Sequence, residues 1–319
     1  MAMDLRPLSL GELLDRSFSL YRARFRTLVA IMVIPAVFAA GMAMVSQTIS
    51  TLAGRLGQPG HEPNVSEAFT MMGLAFAMFA LMAVYFVVSM IAFGATTAAV
   101  SDIYMGRDTS AAGAFRRVRD RVGRLLLVLL LIGLRMAGVF IAAIVVGAVM
   151  AVVFALGAPW AGGVVMVLMV LAAGILMLYL WLRYALSIPA VMLEPITASE
   201  AIRRGVELGA GHRWRILIVG LFAAAVTYAT ALLFQGPFTV AAIVMGPDTR
   251  AAFALNLVGA FAGAVAGAIS GPLGIVALAL LYYDMRVRHE GLDLQLMMQS
   301  LETPGGGSTF STPPAVTPS

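Results

Sequence analysis

The chain has 319 residues, 61% hydrophobic and only 12% charged, with a mean hydropathy of +0.94 and a formal net charge of +5. That balance excludes a soluble domain of this size and places the protein among integral membrane proteins. There is no cysteine, which excludes disulfides, thiolate metal sites and cysteine catalysis. All 21 basic residues are arginine; beside membrane spans their expected counterpart is an anionic lipid headgroup, not nucleic acid.

Residues 1–26 read as an amphipathic helix. Ser9 is a good N-cap and Glu12, three residues on, can close a capping box. Leu10, Leu13, Leu14, Phe18 and Tyr21 share one face, with Arg16, Arg22 and Arg26 towards the other. The spacing predicts a helix lying in the membrane interface; the alternative is a plain positive flank of the first span. No signal-peptide pattern with a small-residue cleavage site precedes that span, so no cleavage is expected. Span one covers roughly residues 28–49, with Pro35 as a kink. A polar loop at 54–67 follows. Span two lies within 68–103, longer than the roughly 20 residues a bilayer needs; it must tilt, kink at Gly94 or project from the membrane.

A second basic segment starts at Thr109 and carries Arg116, Arg117, Arg119, Arg121 and Arg124, without the capping glutamate. Span three lies within 125–156, a short turn at 157–160 follows, and span four lies within 162–193. The third basic segment has the full box, Thr197 and Glu200, then Arg203, Arg204, Arg213 and Arg215. Arg16, Arg116 and Arg204 each follow their cap by seven residues. Span five lies within 216–245 with an interruption at Gln235-Gly236-Pro237. After the loop 246–250, span six lies within 251–283 with a break or kink at Gly271-Pro272. Residues 303–319 have the low-complexity composition of a disordered tail.

The expectation is therefore an all-α polytopic helical bundle, a single membrane domain over 1–302. Its six transmembrane helices form three parallel two-helix repeats (5–105, 106–194 and 195–290), each preceded by a basic amphipathic helix. Seventeen arginines flank one side of the six spans and only Arg55 and Arg250 the other. The positive-inside rule then puts both termini in the cytoplasm of a bacterial inner membrane.

Four groups of residues stand out. Asp102, Glu194 and Asp284 each end the second span of a repeat; they either fix a hairpin to the neighbouring basic segment or form a ring of carboxylates for a cation or proton. Arg135 and Arg183 lie inside apolar runs, 11 residues from Arg124 and from Glu194 respectively, and so about 16 Å from their ends. Arginine in a span is costly, so these are candidates for an anionic ligand; equally they are headgroup anchors on helices that project past them. The second choice requires the apolar stretch 125–134 to be covered by other helices. Arg16, Arg116, Arg117, Arg203 and Arg204 are interfacial basic candidates. Gly259, Gly263, Gly267 and Gly271 form a small-residue face for close helix packing, within the bundle or in a dimer. The three histidines lack metal-ligand spacing, and no nucleophile or phosphate-loop motif is present. No catalytic residue, metal or cofactor is expected.

Three stretches carry a family resemblance: Leu5-Arg-Pro-Leu-Ser-Leu-Gly-Glu-Leu-Leu-Asp-Arg-Ser-Phe-Ser-Leu-Tyr-Arg, Ile188-Pro-Ala-Val-Met-Leu-Glu-Pro-Ile-Thr-Ala-Ser-Glu-Ala-Ile-Arg-Arg and Leu281-Tyr-Tyr-Asp-Met-Arg-Val-Arg-His-Glu-Gly-Leu-Asp-Leu. In order and placement they resemble the bacterial membrane domain of glycerophosphoryl diester phosphodiesterases, over nearly everything up to residue 302. In some members that domain is fused to a catalytic barrel. This sequence leaves no room for the barrel and lacks its His and Glu/Asp pattern, so the resemblance implies a membrane module without hydrolase activity. Three roles are open at this point: a non-catalytic module engaging anionic lipid or a cytoplasmic or membrane protein partner, a transporter or channel for an anionic or lipid-like solute, or the membrane subunit of a separately encoded enzyme.

Overall fold

The structure is a computed structural model and describes residues 7–57, 64–157, 159–246 and 249–290. The tail at 303–319 lies outside the described residues. Among them the chain is all helical: α1 (Leu10–Ala23), α2 (Phe25–Leu56), α3 (Val65–Tyr104), α4 (Ala111–Arg119), α5 (Val122–Gly157), α6 (Pro159–Tyr184), α7 (Ser187–Leu193), α8 (Ala198–Gly209), α9 (Arg213–Met245) and α10 (Arg250–Glu290). Six helical stretches are long and apolar enough to cross a membrane, α6 and α7 counting as one, and the protein is a multi-pass membrane protein. Short helices α1, α4 and α8 each precede a pair of these in the chain.

Local chemistry explains the helix starts. Ser9 and Thr197 accept from the backbone N–H of Glu12 and Glu200, whose carboxylates reach back to the cap N–H groups. Asn64 and Glu67 do the same for α3. In the second basic segment the cap is Ser110, not the expected Thr109; Ser110 accepts from Gly113. A helix can begin at either hydroxyl, and sequence spacing alone does not choose between them.

The interruption expected at Pro237 and the break expected at Pro272 do not occur. α2, α9 and α10 run unbroken through Pro35, Pro237 and Pro272. A proline forfeits one ladder hydrogen bond, whereas a ruptured helix strands several backbone groups in hydrocarbon. The actual break is between α6 and α7, at Ala185–Leu186. Pro189, in the first turn of α7, has no N–H to offer the Ala185 carbonyl, and it is tolerated there because first-turn donors need no intrahelical partner. α3 likewise runs unbroken through Gly94. A Cβ there would sit 2.9 Å from Leu125 Cδ2 and 3.2 Å from Met192 Sδ, so this glycine lets α5 and α7 approach α3 closely.

The packing is uneven along the spans. α2 packs on both α3 and α10, and α9 packs along α10, while α5 and α6 pack chiefly on each other. The buried core is concentrated at the arginine-rich ends of the helices. In α3 all the buried residues lie in the last part, from Ala92 to Tyr104. In α10 they crowd from Ala266 to Val287. Leu125, Val128, Leu129 and Ile132 of α5 join them, so the apolar stretch 125–134 is covered on one side; Leu127, Leu130 and Leu134 on the other remain exposed. The rest of each span presents residues such as Phe76, Phe140, Leu168 and Val244 outward, as a lipid-facing surface requires.

α3 and α10 have 40 and 41 residues, about 60 Å each at 1.5 Å per residue. A bilayer core is about 30 Å thick. The surplus is at the arginine-rich end, where α1, α4, α7 and α8 cover it. α1 belongs to this cover: Leu13, Ser17 and Tyr21 are buried, α1 packs chiefly on α10, and the Tyr21 hydroxyl donates to the Ile269 carbonyl. Its apolar face is thus taken up largely by protein, with Phe18 left exposed.

α8 docks on α7 through Gly205, where an added Cβ would lie 2.6 Å from the Ser187 backbone nitrogen. Backbone cannot yield as a side-chain tip can. Gly205→Ala is expected to destabilise by about 1–3 kcal/mol, read as a lower melting temperature of the detergent-solubilised protein; an unchanged melt would contradict this packing.

Candidate functional site

The three repeated acids sit where the long helices meet the covering helices, and each is met by arginines. Asp102, almost fully buried at the end of α3, pairs with Arg107 at 3.1 Å and with Arg117 of α4. Glu194, just after α7, pairs with Arg204 of α8 at 3.3 Å and Arg286 of α10 at 3.4 Å, and it accepts from the Tyr282 hydroxyl. Arg204 also meets Glu290. Burial works against the Arg204 charge, but Glu194 and Glu290 outweigh it and raise its pKa.

The third node is the most enclosed. The Asp284 side chain is fully buried, with Arg215 of α9 at 2.8 Å and Arg288 at 3.0 Å. Its other oxygen accepts the Leu8 N–H at 2.8 Å, and the Leu8 carbonyl accepts from Arg215 at 2.8 Å and Arg288 at 2.6 Å. The chain entering α1 is thus clamped by its backbone. In all three nodes guanidinium donors occupy the carboxylates. This is the geometry of structural cross-links, and no group of His, Asp and Glu suited to a metal ion occurs among the described residues.

The interfacial arginines divide. Arg117 and Arg204 point into the nodes, and Arg16 lies over the Tyr104 ring at 5.2 Å. Arg116 and Arg203 remain exposed, Arg203 with Glu207 of its own helix at 3.6 Å.

Arg135 and Arg183 come together, and a third arginine joins them. Arg135 of α5 and Arg183 at the end of α6 lie over the Tyr184 ring at 5.8 and 6.0 Å. Arg213, the first residue of α9, lies over Tyr179 at 4.9 Å. Trp181 packs against Gly220 of α9, closing α6 onto α9 beside the cluster. Among the described residues none of the three arginines forms an ion pair, and Arg183 Nε is buried with no hydrogen-bond partner. Sequence spacing gave no hint of Arg213, Tyr179 or Tyr184 here. Arg183 and Arg213 are 30 positions apart, and the break after Tyr184, α7, α8 and the turns between them bring α9 back beside α6.

The glycine stripe also divides. Gly259 and Gly263 pack on α9, where an added Cβ would meet Phe238 Cβ at 3.0 Å and Gln235 Oε1 at 2.6 Å. Gly267 has no such neighbour within 4 Å, and Gly271 has only Met32 Sδ at 4.0 Å. Together with Gly263 they line a cavity of about 390 Å³ between α2, α3 and α10.

Residues 153–303 match the family model of the membrane domain of glycerophosphoryl diester phosphodiesterase. The match covers α6 to α10, hence the Glu194 and Asp284 nodes, Arg183 and Arg213. It leaves out the stretch at 5–22 that also carries the resemblance. No curated protein and no solved structure matches the chain.

Asp284→Asn would leave two arginines enclosed without their carboxylate. Breaking one side of such a pair costs about 3–5 kcal/mol. The expected outcome is a lower melting temperature with faster hydrogen exchange of the segment around Leu8; native-like protection of that segment would show that the clamp is dispensable.

Proposed function

We propose that the protein is a non-catalytic module of the bacterial inner membrane, with both termini cytoplasmic, that holds an anionic phospholipid on the face shared by α5, α6 and α9. The observation that carries this reading is the grouping of Arg135, Arg183 and Arg213 without a carboxylate partner, one guanidinium nitrogen of Arg183 being buried and unsatisfied. A buried cationic donor left unpaired costs more than 1 kcal/mol, and a phosphate group supplies both the charge and the acceptors.

Depth supports a lipid. Arg135 lies 22 residues from Gly157 at the far end of α5, about 33 Å along the helix. That is the near edge of a hydrocarbon layer of about 30 Å. Arg135 itself and the adjoining Leu134 are exposed, so the guanidinium is open to the edge of the bilayer. The arginine asymmetry, seventeen against two, makes this edge the cytoplasmic one, where anionic lipids meet basic residues. The tyrosines contribute amphipathic rings at headgroup level.

Native mass spectrometry of the purified protein tests this. The wild type is expected to retain an anionic phospholipid adduct. In Arg135→Ala/Arg183→Ala its occupancy is expected to fall more than tenfold, since two charge-assisted hydrogen-bonding groups are lost, each worth about 1.5–3 kcal/mol. A wild type without any adduct, or a double variant that keeps it, would overturn the reading.

A further inference from the structure

A second basic site lies elsewhere. Between the ends of α3 and α4, the end of α7 and α10 is a pocket of about 410 Å³. Arg107, Arg117, Arg121 and Arg286 line it, with Ser101 and Tyr283 hydrogen-bonded to each other at 2.8 Å. Asp120 is the acid on its wall. The arginines are held in place by their own contacts. Arg107 and Arg117 share Asp102, Arg286 is fixed by Glu194 and Glu290 at 3.4 and 3.1 Å, and Arg121 donates to the Met192 carbonyl.

Donors are in surplus, and on the pocket wall four arginines face Asp120. Each guanidinium has five N–H donors, and Arg107 and Arg117 divide one carboxylate between them. Among the described residues Arg121 has no carboxylate in its contacts. Burial, and then the neighbouring Arg124 and Arg117, lower its pKa from the ordinary value. Cations crowded in this way around a cavity favour an anion in it, and forked guanidinium donors match phosphate oxygens.

We propose that this pocket binds a phosphate-bearing anion that arrives from the water, separately from the lipid held by Arg135 and Arg183. Height decides the source. Ser101 is 33 residues along α3 from Ala68, where the apolar part of the helix starts, about 50 Å. Arg286 lies 36 residues along α10 from Arg250, again about 50 Å. A hydrocarbon core of about 30 Å and one headgroup layer end roughly 10 Å short of this level. The pocket therefore opens beyond the headgroups. Its volume accommodates a phosphate ester and not a two-chain lipid.

The test uses the full chain in nanodiscs of phosphatidylcholine, titrated calorimetrically with inorganic pyrophosphate. Saturable binding is expected. Arg121→Gln and Arg107→Gln, which leave Asp102 paired with Arg117, are each expected to weaken it about tenfold, while Arg135→Ala/Arg183→Ala leaves it unchanged. Asp120→Asn removes the repelling acid on the wall and is expected to tighten binding about two- to fivefold. It also removes a negative charge from the C-terminal end of α4, where the helix dipole disfavours it, so misfolding cannot mimic a gain. Absence of saturable binding, or affinities indifferent to Arg121, Arg107 and Asp120, would overturn the proposal. Displacement of pyrophosphate when phosphatidylglycerol is added to the disc would overturn the water-borne assignment and give the pocket to a headgroup.

Discussion

Helices of about 60 Å in a bilayer core of about 30 Å leave length that hydrocarbon cannot cover, and the architecture follows from where that length goes. It is gathered at one end. There the spans cease to face lipid and begin to face each other, and the short helices α1, α4, α7 and α8 close over them. Within the lipid-facing part the contacts are looser, and the α5–α6 hairpin packs mainly on itself. A membrane supplies no hydrophobic drive between helices; an aqueous phase does. A tight apolar core at the end that leaves the bilayer is what that difference dictates.

Charged groups then fix the cover in register. Asp102, Glu194 and Asp284 each tie the end of a hairpin to arginines from a neighbouring segment. Buried pairs of this kind add little net stability, because desolvation offsets attraction, but losing one partner is costly. They therefore specify which helix meets which. With so many arginines engaged in this work, those without a carboxylate become informative. Arg135, Arg183 and Arg213 at the lipid edge, and Arg121 in the pocket beyond it, are positions where no carboxylate among the described residues pairs with the charge.

Much of this was legible in the sequence. Apolar length gave six spans, capping boxes gave the starts of α1 and α8, and the position of Asp102, Glu194 and Asp284 beside basic segments pointed to pairing. The misses share a physical cause. Pro237 and Pro272 looked like breaks because their local cost is visible in sequence, whereas the greater cost of opening a helix in lipid is not. The true break after Tyr184 goes with Pro189, which has no N–H for the Ala185 carbonyl, and with the close seat of Gly205 of α8 on Ser187. Gly267 looked like a packing residue because spacing cannot tell which members of a stripe meet a neighbouring side chain. Arg107 and Arg121 counted only among the basic flanks until the turns after α3 and α4 brought them beside Arg286 of α10 in one pocket.

The central claim is that the helices leave the membrane near Arg135 and continue as a packed aqueous-side body. The absence of native cysteine makes single-cysteine spin labelling direct. Labels at exposed Met105, Leu134 and Val145, in the protein reconstituted in lipid, would be compared for relaxation by a water-soluble paramagnetic complex and by oxygen. The account predicts a water-exposed label at Met105, a lipid-buried one at Val145 and an intermediate one at Leu134. A Met105 label shielded from the water-soluble reagent like that at Val145, or a Val145 label open to it, would contradict the account.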